Sequence, residues 1–172
     1  MGLASELNYR TDKANPAQKL VQAVASTQPG AWALSKCLHL VDKGSWTAVK
    51  GRGSATEVLT GLPVIMVTTT GARTGKQRTM PLVGVPAGED LGLIAGNWGG
   101  ENAPGWSHNL DANPRATVSW KGTTVDVVAR RTEGAEADEI MESASAIYPG
   151  YSQYQRRADH REIKVYRLEL AG

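Results

Sequence analysis

Hydrophobic positions change their spacing part-way along the chain. Before residue 44 they recur at helical intervals, and from residue 62 onward they fall in short strand-like runs. Asn15-Pro16 opens a predicted helix with Leu20, Val21 and Val24 apolar and Gln18, Lys19 and Gln22 polar, and Gln28-Pro29-Gly30 breaks it. A second helical run carries Trp32, Leu34, Leu38 and Val41, with Lys36, His39 and Lys43 interleaved. Residues 1–14 are polar and expected to be loose, and residues 44–60 read as a flexible Gly/Ser/Thr connection. Strands are predicted over 62–70, 79–85 and 91–95, followed by a short helix over 102–113 that Asn113-Pro114 ends. Ala116, Val118 and Trp120 alternate with polar residues, and Lys121-Gly122 turns that strand into another over 123–131. A helix over 134–147 has an acidic start that suits the positive end of its dipole. A last strand over 163–170 puts Tyr166, Leu168 and Leu170 on one face.

The order is therefore two helices, three strands, a helix, two strands, a helix and a strand. Strands joined by short turns favour an antiparallel sheet, closed into a small barrel with helices around it, in an α+β protein. A doubly wound parallel sheet would need helical crossovers that are missing. The expected division is an N-terminal segment over 1–30, flexible or membrane-facing, and a barrel domain over 31–172.

Composition narrows the chemistry. The 172 residues suit one sizeable core, and a net charge of +2 does not describe a dedicated nucleic-acid binder. Cys37 is the single cysteine, which excludes an internal disulfide and suits a reducing cytosol. His39, His108 and His160 lack metal-site spacing, so no metal is expected. No serine sits in a Gly-x-Ser-x-Gly elbow, and nothing in the local sequence marks Asp111 or Asp126 as a base. The charges at Glu6, Arg10, Asp12, Lys13 and Lys19 do not fit a signal peptide, and no apolar run is long enough to span a bilayer. A cytoplasmic location is expected, with peripheral contact at the inner membrane face as a variant, because the N-terminal helical part is amphipathic and basic.

One segment is the most informative: Thr68-Thr69-Thr70-Gly71-Ala72-Arg73-Thr74-Gly75-Lys76-Gln77-Arg78. A hydrophobic strand runs into a turn with two glycines and three cations, and a second strand follows. Such a turn can present backbone amides and positive charge to a phosphate or carboxylate. It is not a P-loop, because Gly71 and Gly75 are too close, Gln77 follows Lys76, and a strand comes next. A hairpin turn with solvated charges is the other reading of the same residues. Two more segments stay similarly open. Gly96, Gly99, Gly100 and Gly105 around Trp98 and Trp106 leave backbone and flat apolar surface for a heterocycle, or form a loop whose tryptophans cover the core. Tyr148, Tyr151 and Tyr154 either line a pocket or serve as core aromatics.

Taken jointly, Gly71-Ala-Arg-Thr-Gly75-x-x-Arg78, Pro81-Leu82, Asn97-x-Gly99-Gly100, Pro104-x-Trp106-x-x-Asn109-Leu110-x-Ala112-Asn113-Pro114 and Tyr148-Pro-x-Tyr151-x-x-Tyr154 resemble the deazaflavin-dependent nitroreductase and quinone reductase family of actinobacteria. The resemblance covers roughly residues 30–170 and favours the ligand-binding reading of all three segments. It implies a split β-barrel of the FMN-binding type and coenzyme F420, whose phosphate and oligoglutamate tail would suit the basic turn. It places phosphate and tail on Ala72, Arg73, Thr74, Gly75, Lys76 and Arg78. The ring would be bordered by Pro81, Leu82 and Val83, by Ala95, Gly96, Asn97 and Trp98, and by Gly105, Trp106 and Asn109. The implied reaction is hydride transfer from the reduced deazaflavin to a quinone, an enone or other activated alkene, or a nitroaromatic. Tyr148, Tyr151 and Tyr154 would line the acceptor site with Val83 and Ser107, and Tyr151 would be the proton or hydrogen-bond donor. Val83 and Ser107 stand where some nitroreducing members carry aromatics, and Trp98 belongs to a one-residue loop expansion, so nitroreduction is the activity placed in doubt. An FMN-dependent oxidoreductase and a non-catalytic deazaflavin or hydrophobic-ligand binder are the alternatives. The assembly is expected to be a monomer or a homodimer.

Overall fold

The computed structural model describes residues 2–11, 15–27, 60–97, 101–152 and 162–172. The second helical run, most of the 44–60 connection, Cys37, Trp98, Gly99, Gly100, Tyr154 and His160 lie outside the described residues. Two helices come first, α1 (Leu3–Glu6) and α2 (Pro16–Ser26), then strands β1 (Val64–Thr70), β2 (Gln77–Val83), β3 (Val85–Ala87) and β4 (Asp90–Ile94). Helix α3 (Gly105–Ala112), strands β5 (Arg115–Trp120) and β6 (Thr123–Thr132), helix α4 (Gly134–Ile147) and strand β7 (Val165–Leu170) complete the order.

The seven strands form one sheet in the order β2-β1-β5-β6-β7-β4-β3, and its pairs are antiparallel. Its two edge strands, β2 and β3, are consecutive in the chain and separated only by Gly84. One bent segment therefore pairs with β1 through its first part and with β4 through its second, which curls the sheet into a barrel. The expected strand over 79–85 is thus two strands divided at Gly84, and its first part starts two residues earlier, at Gln77. Closure leaves no long unpaired edge, the hazard of an open antiparallel sheet.

The barrel fills by alternation. Ile65 and Val67 of β1, Val118 of β5, Val127 of β6 and Leu168 of β7 are each fully buried in one cluster. Tyr166, Leu168 and, partly buried, Leu170 share the inner side of β7, as their spacing requires. At the β5–β6 turn Lys121 and Gly122 have φ of 45° and 94°, the positive values that a two-residue hairpin demands. A second cluster forms outside the barrel, where Ile140 and Ala144 of α4 pack on Val64, Val85 and Val165. Gly92 of β4 lets the helix sit there, since a Cβ at 92 would lie 2.5 Å from Ile140 Cγ2.

The N-terminus departs from expectation. Residues 1–14 read as loose, yet Leu3 and Leu7 are buried in the barrel core, at 0% and 1% exposure. The Ala4 amide donates to Glu89 O at 2.9 Å, and the Tyr9 hydroxyl donates to Gly84 O at 2.5 Å. The Tyr9 ring also lies 4.9 Å from Trp120. Two leucines four apart put their side chains on one helical face, and even a single turn suffices when the barrel supplies the rest of the contact. Helix α2 starts at the predicted place: Asn15 and Gln18 cap each other's backbone amides, and Pro16 takes the first helical position. Its Gln22 side chain is buried and donates to Thr60 O at 2.7 Å. Leu20 and Val24, apolar positions of this amphipathic helix, are 68% and 52% exposed. No helix among the described residues is long and apolar enough to cross a membrane.

Candidate deazaflavin-binding site

The basic turn connects β1 to β2. The Gly71 amide donates to Lys76 O and the Gly75 amide to Gly71 O, both at 2.8 Å, so the turn closes on itself. Gly75 takes a φ of 64°, in the left-handed region. At Gly71 a Cβ would sit 2.8 Å from Thr74 Oγ1 and 3.1 Å from Lys76 O, so the turn has no room for one. The Ala72 amide is bound to Asn109 Oδ1 at 3.0 Å. Not every amide of the turn therefore points at a ligand, as a simple nest would require. Those of Arg73 and Thr74 make no hydrogen bond to the described residues. The side chains of Arg73, Lys76 and Arg78 are exposed around them. Two open amides within three cations are the kind of arrangement that suits a phosphate or a chain of carboxylates.

β2 leads away from the turn. Pro81, Leu82 and Val83 are half-buried, and the strand carries its polar residues, Gln77 and Arg78, at the turn end. Across β1, Tyr148 and Tyr151 pack with Leu62, Val64 and Val83 at the far end. At about 3.4 Å per residue, the six steps from Thr70 to Val64 separate the cationic turn from the tyrosines by roughly 20 Å. The cationic turn and the buried tyrosines therefore lie at opposite ends of β1.

The two rings of Tyr148 and Tyr151 meet edge to face, 5.8 Å apart at 80°. Tyr151 is 9% exposed, and burial pushes its phenol well above the usual tyrosine range, with Tyr148 adding to the shift. It stays protonated at neutral pH, so it can donate but not act as a base. Both tyrosines belong to the cluster under α4 in this conformation, not to an open pocket wall.

Helix α3 closes the other side of the turn. Trp106 is buried against Tyr166, their centroids 5.7 Å apart, so it is a core residue rather than an exposed platform. Ser107 and Ala95 are fully buried, and Ser107 Oγ donates to Pro104 O at 2.8 Å. Neither Ser107 nor Ala95 offers surface to a ligand here, in contrast with the pocket-lining places the resemblance gives them. Asn97, in the left-handed region with φ of 44°, donates from Nδ2 to Asn102 O at 2.8 Å and shapes the loop before α3. Gly105 at the start of α3 has open space where a Cβ would stand.

Sequence reasoning passed over the group that fixes α3. The Tyr166 hydroxyl donates to Asp111 Oδ1 at 2.6 Å, and Lys164 pairs with Asp111 Oδ2. Burial alone would raise the Asp111 carboxyl, but hydrogen bonds from Lys164 and Tyr166 outweigh it and hold it below the usual range. Burial, and then the Asp111 contact, push the Tyr166 phenol above its ordinary value. These residues are 53 and 55 positions apart, so no local pattern could link them. A depressed carboxyl adds stability above its unfolded pKa, which is lost as pH falls through the lower folded value. A raised phenol adds stability that is complete below its unfolded pKa of about 10 and declines as pH rises above it. We therefore expect the melting temperature to fall above about pH 10 through Tyr151 and Tyr166, and Tyr166→Phe to flatten that alkaline limb. An alkaline limb identical in Tyr166→Phe would remove Tyr166 from the account; calorimetry across pH reads it.

A curled antiparallel sheet with a cation-rich turn between its first two strands and helices across its outside defines a split-barrel protein of the flavin and deazaflavin type. The chain belongs to the F420H(2)-dependent quinone reductase family, whose model matches residues 43–169. An F420H(2)-dependent quinone reductase of Mycobacterium tuberculosis is 31% identical over 108 residues, covering 60% of this chain and 70% of the relative. A solved F420-H2 dependent reductase is 35% identical with a TM-score of 0.57, over 62% of this chain and 94% of that one. A second solved structure, a domain-swapped dimer, is 29% identical with a TM-score of 0.59, over 83% of this chain and all of that one. The family is one of F420H2-dependent oxidoreductases, so the FMN alternative is not needed.

Proposed function

We propose that this chain transfers a hydride from F420H2 to a quinone, with enones and other activated alkenes as further acceptors and nitroaromatics the least favoured class. The observation that carries this reading is the turn itself: open amides at Arg73 and Thr74 ringed by Arg73, Lys76 and Arg78. Those three side chains hold the phosphate and the carboxylates of the tail by charge-assisted hydrogen bonds. Pro81, Leu82 and Val83 form the apolar track from the turn towards the tyrosines. Gly96, Asn97 and Gly105 carry no bulky side chain, which would let their backbone approach the ring. Bound F420H2 supplies the hydride, which is the part of the chemistry no side chain here can perform. The protein orients both partners and keeps a protonated phenol, Tyr151, for the oxygen of the acceptor on which negative charge develops. That role requires the Tyr148–Tyr151 pair to turn from the cluster under α4 towards the acceptor.

Titration with F420 and turnover of a soluble quinone by F420H2 test this together. Wild type is expected to bind F420 at micromolar concentration or tighter and FMN more weakly. Tyr151→Phe is expected to lower kcat about 100-fold or more, in line with loss of one positioned proton donor, while F420 affinity stays within about twofold. If affinity falls and turnover per bound cofactor does not, Tyr151 is a cofactor ligand. Absence of F420 binding by wild type would end the reading altogether.

A further inference from the structure

We propose that Asn109 is a positioning residue for the anion-binding turn: it holds the open amides in place through Ala72 and Thr69, and does not act as a contact to the ring. The inference rests on the cofactor reading above. Asn109 is 8% exposed on α3, and its side chain spans two points of the β1–β2 hairpin. Oδ1 accepts the Ala72 amide at 3.0 Å, and Nδ2 donates to Thr69 Oγ1 at 3.0 Å. An amide N–H can only donate, so the oxygen must face Ala72, and this fixes which way round the side-chain amide sits. Thr69 is fully buried, so its hydroxyl is a structural anchor that no ligand reaches.

Without Asn109, the hydrogen bonds of residues 72–75 to the described residues stay within the turn. The Gly71–Lys76 and Gly75–Gly71 hydrogen bonds close the turn, and that of Lys76 N to Thr74 Oγ1 is internal too. Among the described residues, the Ala72–Asn109 bond is the hydrogen bond that joins residues 72–75 to another element. Asn109 is well placed to transmit rigidity, because α3 is itself pinned by Trp106 in the core and by Asp111 to Tyr166 and Lys164. The amides of Arg73 and Thr74 are the next two after Ala72. Fixing the Ala72 peptide therefore sets the direction of both before an anion arrives. A turn ordered in advance loses less conformational freedom on binding, which strengthens affinity without an additional ligand contact.

The test compares F420 with a deazaflavin riboside that lacks phosphate and tail, using Asn109→Ala, Thr69→Val, the double variant and Thr69→Ser. Thr69→Val removes the buried anchor while leaving the turn and every exposed group unchanged. Asn109→Ala and Thr69→Val are each expected to raise the F420 Kd roughly three- to tenfold, the range for one hydrogen bond. Binding of the riboside should stay within about twofold, and Thr69→Ser should bind F420 as wild type does. The double variant should be no weaker than the weaker single, since both act through one clamp. Equal loss for F420 and riboside in Asn109→Ala would make Asn109 a ring contact and overturn the proposal, as would a folded Thr69→Val with unchanged F420 affinity. Amide hydrogen exchange separates this inference from the cofactor reading. Faster exchange at Ala72 in Asn109→Ala supports the clamp even if wild type fails to bind F420, and unchanged exchange refutes it.

Discussion

Reversing two charges in the β1–β2 turn, Arg73→Glu with Lys76→Glu, should raise the Kd for F420 about 100-fold or more at low salt. Removing one charge-assisted hydrogen bond weakens binding about tenfold, and each glutamate adds repulsion of an anionic ligand. Both side chains are exposed, so the melting temperature should change by no more than a surface substitution normally causes, about 0.5 kcal/mol in stability. The defect should shrink at high salt, because exposed charges are screened beyond about 10 Å at 0.1 M. FMN, with one phosphate and no tail, should lose less. Fluorescence titration of both cofactors at two salt concentrations decides the point. Equal losses for F420 and FMN would mean that the tail does not use these residues, and no loss for either would return the turn to a solvated hairpin.

The second large effect is on stability. Leu3→Ala together with Leu7→Ala should lower the melting temperature by at least about 8 °C. A buried leucine cut to alanine loses about 2–5 kcal/mol, and in a chain of this size each kcal/mol moves the midpoint by roughly 2–4 °C. Both leucines are at or near zero exposure in the barrel cluster. The four-residue helix that bears them has no stability of its own, so packing against the barrel is what holds it. Circular dichroism on heating reads the result. A double variant that melts with wild type would show that the N-terminal turn is not part of the cooperative unit.

Much of this architecture was legible because it is written in short range. Alternation placed Ala116, Val118 and Trp120 inside, Asn15-Pro16 marked the start of α2, and Lys121-Gly122 marked its hairpin. The bend at Gly84 was hidden inside a continuous strand pattern. A barrel needs a corner where one strand changes partners, and only the pairing to β1 on one side and β4 on the other shows where it falls. Leu3 and Leu7 were missed because two apolar residues in a polar stretch carry no periodic signal. Leu20 and Val24 show the converse: the spacing fixes an apolar face of the helix, but not what that face meets.

The candidate site divides in the same way. Residue types alone left the 71–78 turn open between an anion site and a solvated hairpin, and it was the joint motifs that favoured the deazaflavin. Which amides are open was settled by Asn109 arriving from a helix 37 residues away to take the Ala72 amide. The Asp111–Tyr166–Lys164 group that pins the same helix is likewise long-range. Local chemistry and periodicity act within a few residues, so the sequence determined the strands, the caps, the turn and its charge. Hydrogen bonds between distant side chains and the burial of isolated leucines arise only when the chain closes. The tertiary structure therefore decided which amides stay open, that the tyrosine pair lies beneath α4, and that the N-terminus belongs to the core.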